Sequence, residues 1–382
     1  MSAQQNHKVP FKVKFYRLKN TGFLKFTDKL IRLFKPPKKF GRIPAKILFV
    51  RSDKIGDAMV TVPVLRDLKL NYPDLKIDVL CSKVNKFVFE DLDFINSVLV
   101  VNSSELVSRL KAEKYDAIID LLSTTKKLVR ILKRCSPFVA GSRIFGFSWM
   151  YNYYLPTNWV SEYDTEPLSF KIEKLLTDCF GFEFTKKDTT EPYNKKYKTG
   201  SEKKEYDLFF HIGTGDIRKL DTEIEEKLLK SLSGFRVLIT DGAETERFNY
   251  YKSKYSANRN VFFKLYNSLE MIRPDVLKSR LVLCYDGGQA HFMEQFARCL
   301  VLNGSVSPFL WAPYDFSAYI EFKSLQNGVK VLQSQGKMKH RVLFFPIWCL
   351  PCFDIGCNTR PCINNILPEQ VIETINDMLA QN

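Results

Sequence analysis

Along this chain, short runs of apolar residues alternate with stretches whose apolar positions recur every three or four residues. The first run, Lys46 to Val50, leads into the turn RSDKIGD at 51–57. That turn opens AMVTVPVLRDLKLNYP, whose spacing predicts a helix. The order repeats as KIDVLCS (76–82), a helix over 85–92, SVLVV (97–101), a helix over 104–113, and YDAIIDLL (115–122). Apolar runs this brief, separated by helical patterns, predict βαβ units and a mostly parallel sheet. The pattern loosens in IFGFSWMYNYYLPTNW (144–159), where periodicity predicts nothing, and returns as a helix over 168–180.

A charged stretch nearly free of aliphatic residues, KKDTTEPYNKKYKTGSEKKE at 186–205, then marks a linker. Beyond it the alternation restarts with YDLFFHIG (206–213), a helix over 222–232, RVLITDG (236–242), a helix over 244–255, VFFKLY (261–266), a helix over 269–278, and RLVLCYDGG (280–288). The expected fold class is α/β, two Rossmann-like domains facing a cleft, with ligand loops at the carboxyl ends of the strands. The chain divides into an arm (1–44), a first domain (45–190), a linker (191–205), a second domain (206–366) and a terminal helix (367–382). That helix has the option of crossing back to the first domain.

Charge changes the picture at one end. Residues 1–42 hold twelve Lys or Arg against the single acid Asp28, and so supply +11 of the net +16. A basic arm on a nearly neutral body argues against a diffuse nucleic-acid surface, and no nucleic acid is expected as partner. Within the arm, Phe23, Phe26, Leu30, Ile31, Leu33 and Phe34 form a stripe beside Lys25, Lys29, Arg32 and Lys35. Two readings stay open: an interfacial helix that brings residues 8–42 to an anionic inner-leaflet surface, or a helix packed on the body. No run reaches the ~18 apolar residues of a membrane span, and no secretory signal is evident. A cytoplasmic, peripherally membrane-associated protein is expected.

Nine cysteines in such a chain argue for reduced thiols. Cys349, Cys352, Cys357 and Cys362 follow the spacing C-x2-C-x4-C-x4-C. That spacing suits a tetrahedral thiolate site for zinc; the apolar flanks FFPIW and INNIL suit structural thiols instead, and no metal ligand is assigned.

The chemistry is expected in loops that follow strands. YDGGQAH (285–291) ends one strand and opens a helix, so small residues let backbone N–H groups approach an anion. HIGTGDIRKL (211–220) brings Thr214, Arg218 and Lys219 to the same crevice, and TDGAETE (240–246) places Glu244 just inside a helix. Together these suit a nucleoside diphosphate. Lys126, Lys127, Arg130, Lys133 and Arg134 form a basic run, and Arg143 follows Gly141. The first three and Arg143 are candidates for acceptor phosphates, with a solvated helix face as the alternative for the run. DLD at 91–93 is the nearest approach to a metal-binding D-x-D and reads as ordinary surface. His211 reads as a core histidine.

The order and spacing of these pieces resemble glycosyltransferase family 9, the lipopolysaccharide heptosyltransferases. ILFVRSDKIGDAMVTVPVLRDLK is similar to that family's opening strand, GD turn and helix, and YDGGQAHF to its D-[ST]-G-x-x-H signature. GTGDIRKLDTE, DGAETE and NGSVSP match its Lys-containing, G-A-E and G-P-T-x-P loops. The resemblance covers residues 45–380. It implies a GT-B architecture with an acceptor domain first and a nucleotide-sugar domain second.

It also implies Asp57 as catalytic base, Lys219 on the donor diphosphate, Glu244 on the ribose, Asp286 on the donor sugar, Gly287 and Gly288 on the phosphates, and His291 supporting that loop. Two positions depart from the pattern: Gly287 stands where Ser or Thr is usual, and Asp221 where the family has Trp. The implied reaction is inverting, cofactor-free and metal-independent transfer of a heptose from ADP-heptose to a phosphorylated, lipid-linked lipopolysaccharide or lipooligosaccharide core. Transfer of another nucleotide-activated sugar is the alternative within enzymes, and a nucleic-acid-binding protein with a Cys knuckle the alternative outside them.

Overall fold

The computed structural model describes residues 30, 33–101, 105–121, 126–143, 150–158, 166–185, 202–214, 218–315, 319–350, 352 and 357–381. Most of the expected arm, most of the linker and much of the aromatic segment therefore lie outside the described residues.

The first domain runs β1 Lys46–Arg51, α1 Ile55–Met59, α2 Val62–Asn71, β2 Lys76–Cys81, α3 Lys86–Phe89, β3 Ser97–Val100, α4 Leu106–Ala112, β4 Ala117–Asp120, α5 Lys126–Cys135, β5 Val139–Arg143, β6 Tyr153–Asn158 and α6 Leu168–Phe180. Its six strands are all parallel, in the order β3-β2-β1-β4-β5-β6. Period-two alternation explains why β1 reads as one continuous apolar run. Ile47 and Phe49 enter one core while Leu48 and Val50 enter the other, so both faces of the strand are covered. The aromatic segment left without an expectation contributes β6, paired to β5.

The second domain runs β7 Tyr206–His211, α7 Thr222–Ser231, β8 Val237–Asp241, α8 Glu246–Tyr255, β9 Val261–Leu265, α9 Arg273–Leu277, β10 Ser279–Tyr285, α10 Gly288–Met293, β11 Cys299–Asn303, β12 Tyr319–Ser324, β13 Lys330–Ser334, β14 Arg341–Phe344, α11 Pro361–Asn364 and α12 Pro368–Ala380. The order is β12-β13-β14-β11-β10-β7-β8-β9. Neighbours in the run β9-β8-β7-β10-β11-β14 pair in parallel, and β13 and β12 close the far edge antiparallel. Sequence periodicity passed over β11 to β14, four strands of four to six residues that no clear helical stretches separate.

The terminal helix corrects one expectation, because α12 does not cross back. Val371, Ile375 and Met378 fill the same core as Leu228 and Leu229 of α7. Lys323 Nζ reaches Asp377 at 2.6 Å and Glu373 at 2.7 Å, and Arg298 Nη1 donates to Met378 O at 2.9 Å. An apolar stripe matched to α7 and a charged edge matched to β12 hold the helix on its own domain. The two domains are joined elsewhere: one apolar cluster runs from Ile47 and Phe49 through to Val282 and Cys284, and Leu168 N donates to Leu310 O at 3.0 Å.

Of the arm, the described end follows the first domain. Lys38 N donates to Asn152 O and Phe40 N to Cys179 O, and the Phe40 ring lies 5.0 Å from Phe138 and 5.5 Å from Phe180. Leu30, Leu33 and Phe34 are exposed, so these three members of the apolar stripe are not packed on the body.

Candidate functional site

Strand β1 ends at Arg51, and the chain turns sharply into α1. Lys54 is the N-cap, with extended backbone and no side-chain cap, and Asp57 lies inside the first turn, so Asp57 is not itself the capping residue. Its place is set from below by Arg51, a fully buried guanidinium. Arg51 Nε donates to Asp57 O at 2.8 Å, Nη2 lies 3.7 Å from Asp57 Oδ1, and Nη1 lies 3.1 Å from Asp53 Oδ2. Thr61 Oγ1 donates to the same Asp57 carbonyl at 2.9 Å.

Asp53 was not singled out by the sequence reading. Its carboxyl is buried against Arg51, and neither oxygen accepts a hydrogen bond among the described residues. Burial pushes it up to about 6; Arg51 opposes that rise, and the nearby Asp57 and Asp120 carboxylates add to it. A buried carboxyl set against a buried guanidinium is a feature of tertiary structure, since R-S-D at a strand end reads as an ordinary turn.

The facing loop belongs to the second domain. Strand β10 ends at Tyr285, and Asp286 is buried at the start of the turn. Arg218 Nη1 donates to Asp286 Oδ2 at 2.9 Å, and Thr214 Oγ1 donates to Asp286 O at 3.1 Å, so three of the expected donor-site residues gather at one point. Burial raises the Asp286 carboxyl, while Arg218 and His291 oppose the rise.

His291, also buried, has Nδ1 3.2 Å from Glu294 Oε2. Burial alone lowers an imidazole, but the Glu294, Asp286 and Asp57 carboxylates together outweigh it here and the group is raised. Asp57 adds to the upward shift of both Asp286 and His291, which puts the carboxylate of the first domain within Coulombic reach of the second domain's loop.

Two glycines bring these loops together. A Cβ on Gly56 would lie 3.2 Å from Gly288 Cα, and one on Gly288 would lie 2.9 Å from Gly56 N and 3.2 Å from Ile55 Cβ. Beside this contact opens a cavity of about 680 Å³, lined by Asp53, Lys54, His211, Tyr266, Asn267 and Gln289 among others. Its volume suits a ligand of nucleotide-sugar size.

His211, expected as a core histidine, is buried but also lines this cavity. Its Nδ1 is 2.9 Å from Thr240 Oγ1, and burial lowers the imidazole to about 4. Gly213 leaves room beside it, since a Cβ there would sit 2.9 Å from His211 Nε2.

Comparison with known proteins follows the same lines. No family model matches the chain. "Lipopolysaccharide heptosyltransferase 3" of Escherichia coli is 33% identical over 94 residues, 22% of this chain and 27% of that protein. A "Putative glycosyltransferase" of Haemophilus influenzae is 32% identical over 87 residues, 21% of this chain and 25% of that protein. The chain thus matches about a quarter of the length of these curated relatives.

Whole-length similarity comes from solved structures. E. coli heptosyltransferase WaaC with ADP-2-deoxy-2-fluoro heptose superposes with a TM-score of 0.61 at 17% identity, covering 87% of this chain and 99% of that one. A glycosyl transferase family 9 structure from Veillonella parvula superposes at 0.62 and 15% identity, covering 90% and 99%. This chain has the fold of glycosyltransferase family 9.

Within the family 9 fold, the remaining expected residues take varied places. Lys219 is half-buried, and its carbonyl accepts from Arg360 Nη1 at 3.1 Å. Glu244 is exposed and precedes the helix instead of entering it. Thr245, not Glu244, is the N-cap of α8, accepting from Phe248 N at 3.1 Å and donating to Asp241 Oδ2 at 3.0 Å.

Asp221, which replaces the family Trp, pairs with Arg360 and accepts from Asn364 Nδ2 at 2.6 Å, while Asp221 N donates to Asn364 Oδ1 at 3.0 Å. The Lys219 loop is thereby tied to the Cys-rich segment.

Lys127 and Arg130 are exposed on α5. Strands β1, β4 and β5 are parallel neighbours, so the Asp57 turn, the start of α5 and the end of β5 at Arg143 share one edge of the sheet. The side chains of Lys126 and Arg143 lie outside the described residues.

Of the four clustered cysteines, Cys362 is buried and the others are half-exposed. A hydrogen bond with Cys352, and then burial, raise the Cys349 thiol, and burial pushes Cys362 up to about 11. Among the described residues no group of three or more His, Cys, Asp or Glu is placed to hold a metal ion. No helix among them is long and apolar enough to cross a membrane.

Proposed function

We propose that this protein is an inverting, metal-independent glycosyltransferase that moves a heptose from ADP-heptose to the phosphorylated inner core of lipopolysaccharide or lipooligosaccharide. One observation supports the reading most strongly: the Gly56 and Gly288 backbones meet, which brings the Asp57 turn against the Asp286–His291 loop beside a nucleotide-sized cavity. The solved WaaC complex holds an ADP-heptose analogue in the same fold, which supports a nucleotide-sugar donor.

In this mechanism Asp57 accepts the proton of the acceptor hydroxyl as its oxygen attacks the anomeric carbon. The bond from that carbon to the diphosphate breaks on the opposite face, and ADP leaves. Lys219 and the Gly287–Gly288 backbone N–H groups stabilise the charge on the leaving diphosphate. Arg51 fixes the Asp57 turn without touching substrate, Arg218 and Thr214 fix Asp286, and Glu294 orients His291. Glu244 is assigned to the ribose, and Lys126, Lys127, Arg130 and Arg143 to acceptor phosphates. The basic arm brings the enzyme to the cytoplasmic face of the membrane, where its exposed Leu33 and Phe34 enter the interface.

The test compares wild type with Asp57→Asn for ADP release and for ADP binding. Turnover should fall by about 10²–10⁴-fold with ADP affinity nearly unchanged, the loss expected for a positioned general base. Equal turnover in the two would sink the assignment. A second reading, transfer of a different nucleotide-activated sugar, is favoured by the Gly287 and Asp221 departures. Mass spectrometry of the core lipid after gene deletion separates them: loss of a heptose supports the first, loss of a hexose the second.

A further inference from the structure

Gly287 has φ of 161°, an extended backbone that any residue adopts, so conformation does not require glycine there. Space does. A Cβ on Gly287 would lie 2.7 Å from Gln289 Nε2 and closer still to Oε1. Gln289 therefore folds back over the loop into the volume where the family's Ser or Thr side chain would begin. Its amide is half-buried and lines the cavity next to Gly288. Among the described residues its Nε2 has one long contact, 3.4 Å to Tyr285 O, which leaves hydrogen-bonding capacity toward the cleft. Lys54 is the single cation at neutral pH among the residues that line this cavity, so a neutral donor there adds to the contact that Lys54 and Lys219 offer an anionic ligand.

Resting on the glycosyltransferase reading above, we propose that Gln289 is a donor-binding residue whose Nε2–H donates to a diphosphate oxygen. It supplies from position 289 the hydrogen bond that a hydroxyl at 287 would otherwise make. Loss of the side chain at 287 and gain of an amide at 289 are then one change, because the two groups compete for the same space.

Calorimetric titration of ADP and of adenosine into wild type, Gln289→Ala, Gly287→Ser and the double variant tests this. Gln289→Ala should bind ADP about tenfold or more weakly, the size expected for a hydrogen bond to a charged group, with adenosine affinity unchanged. Gly287→Ser alone should weaken ADP binding less than Gln289→Ala does, because its hydroxyl replaces the amide that its Cβ displaces. The double variant should recover most of the ADP affinity.

Gln289→Ala with wild-type ADP affinity overturns the inference, as does an equal loss for ADP and adenosine. A double variant no better than Gln289→Ala also overturns it. A wild type that ignores ADP overturns the donor reading and this inference together, whereas a wild type that binds ADP keeps that reading whatever Gln289→Ala does.

Discussion

Gly56 and Gly288 touch backbone to backbone across the two domains, with 2.9 Å between Gly56 N and the position a Cβ on Gly288 would take. No flexible side chain lies at this contact to absorb an added methyl; the nearest atoms are the Gly56 backbone and Ile55 Cβ. Gly288→Ala should therefore force the domains apart. Gly56→Ala, whose nearest contact is 3.2 Å, should do so less. We expect Gly288→Ala to lose at least tenfold in turnover, and Gly56→Ala less, while both melt within a few degrees of wild type. Small-angle scattering of the two variants, read beside turnover, checks the cause.

Arg51 holds Asp57 in place, and Asp53 holds Arg51. Because burial lifts the Asp53 carboxyl from 3.8 to about 6, the folded chain binds its proton more tightly than the unfolded chain between those values. Stability from this group is thus lost as pH rises through that window, and at pH 7 the ionised form costs about 3 kcal/mol at most. Asp53→Asn should accordingly be more stable than wild type in urea at pH 7, with the difference vanishing near pH 4. Turnover should fall about tenfold, because the guanidinium under Asp57 loses its charged partner. A variant less stable at pH 7 would contradict this account.

The Asp221–Arg360–Asn364 cluster ties the Lys219 carbonyl to the segment before α11. Releasing it should act on donor binding more than on chemistry. Asp221→Ala and Arg360→Ala should each raise KM for the donor several-fold with kcat within about twofold, and the pair together should do little more than either alone. Steady-state kinetics on the three variants decide the point; additive effects would mean the residues act separately.

His340 is buried, and its Nδ1 accepts a hydrogen bond from Cys299 N at 3.1 Å, an arrangement that requires neutral imidazole. Burial lowers it from 6.5 to about 4. Between those values the unfolded chain takes the proton and the folded chain does not, so stability is full above pH 6.5 and falls as pH drops toward 4. That loss is about 3 kcal/mol at most. His340→Asn, which keeps an acceptor in place of Nδ1, should flatten the acid limb of stability against pH. Unfolding in urea from pH 7 to 4.5 measures it.

Element type was legible wherever period-two or helical spacing ran unbroken, as in β1 and α12. It was not legible for β11 to β14, short strands whose partners are set by the sheet and not by neighbours in sequence. The clustering of three expected site residues was legible: Thr214, Arg218 and Asp286 do converge. Asp53 escaped notice and His211 was read only as a core histidine, because a carboxyl beside an arginine, or a histidine at a strand end, gains its meaning only from what surrounds it.

What sequence alone determined is the alternation of strand and helix and the order of the loops, because both follow from local spacing and from residues that permit tight turns. What only the tertiary structure decided is which loops face each other and which charged groups lose water. Two glycines more than two hundred positions apart become one contact, and an aspartate and a glutamine from opposite domains line one cavity. Desolvation and close packing act through space, so no window along the chain contains them.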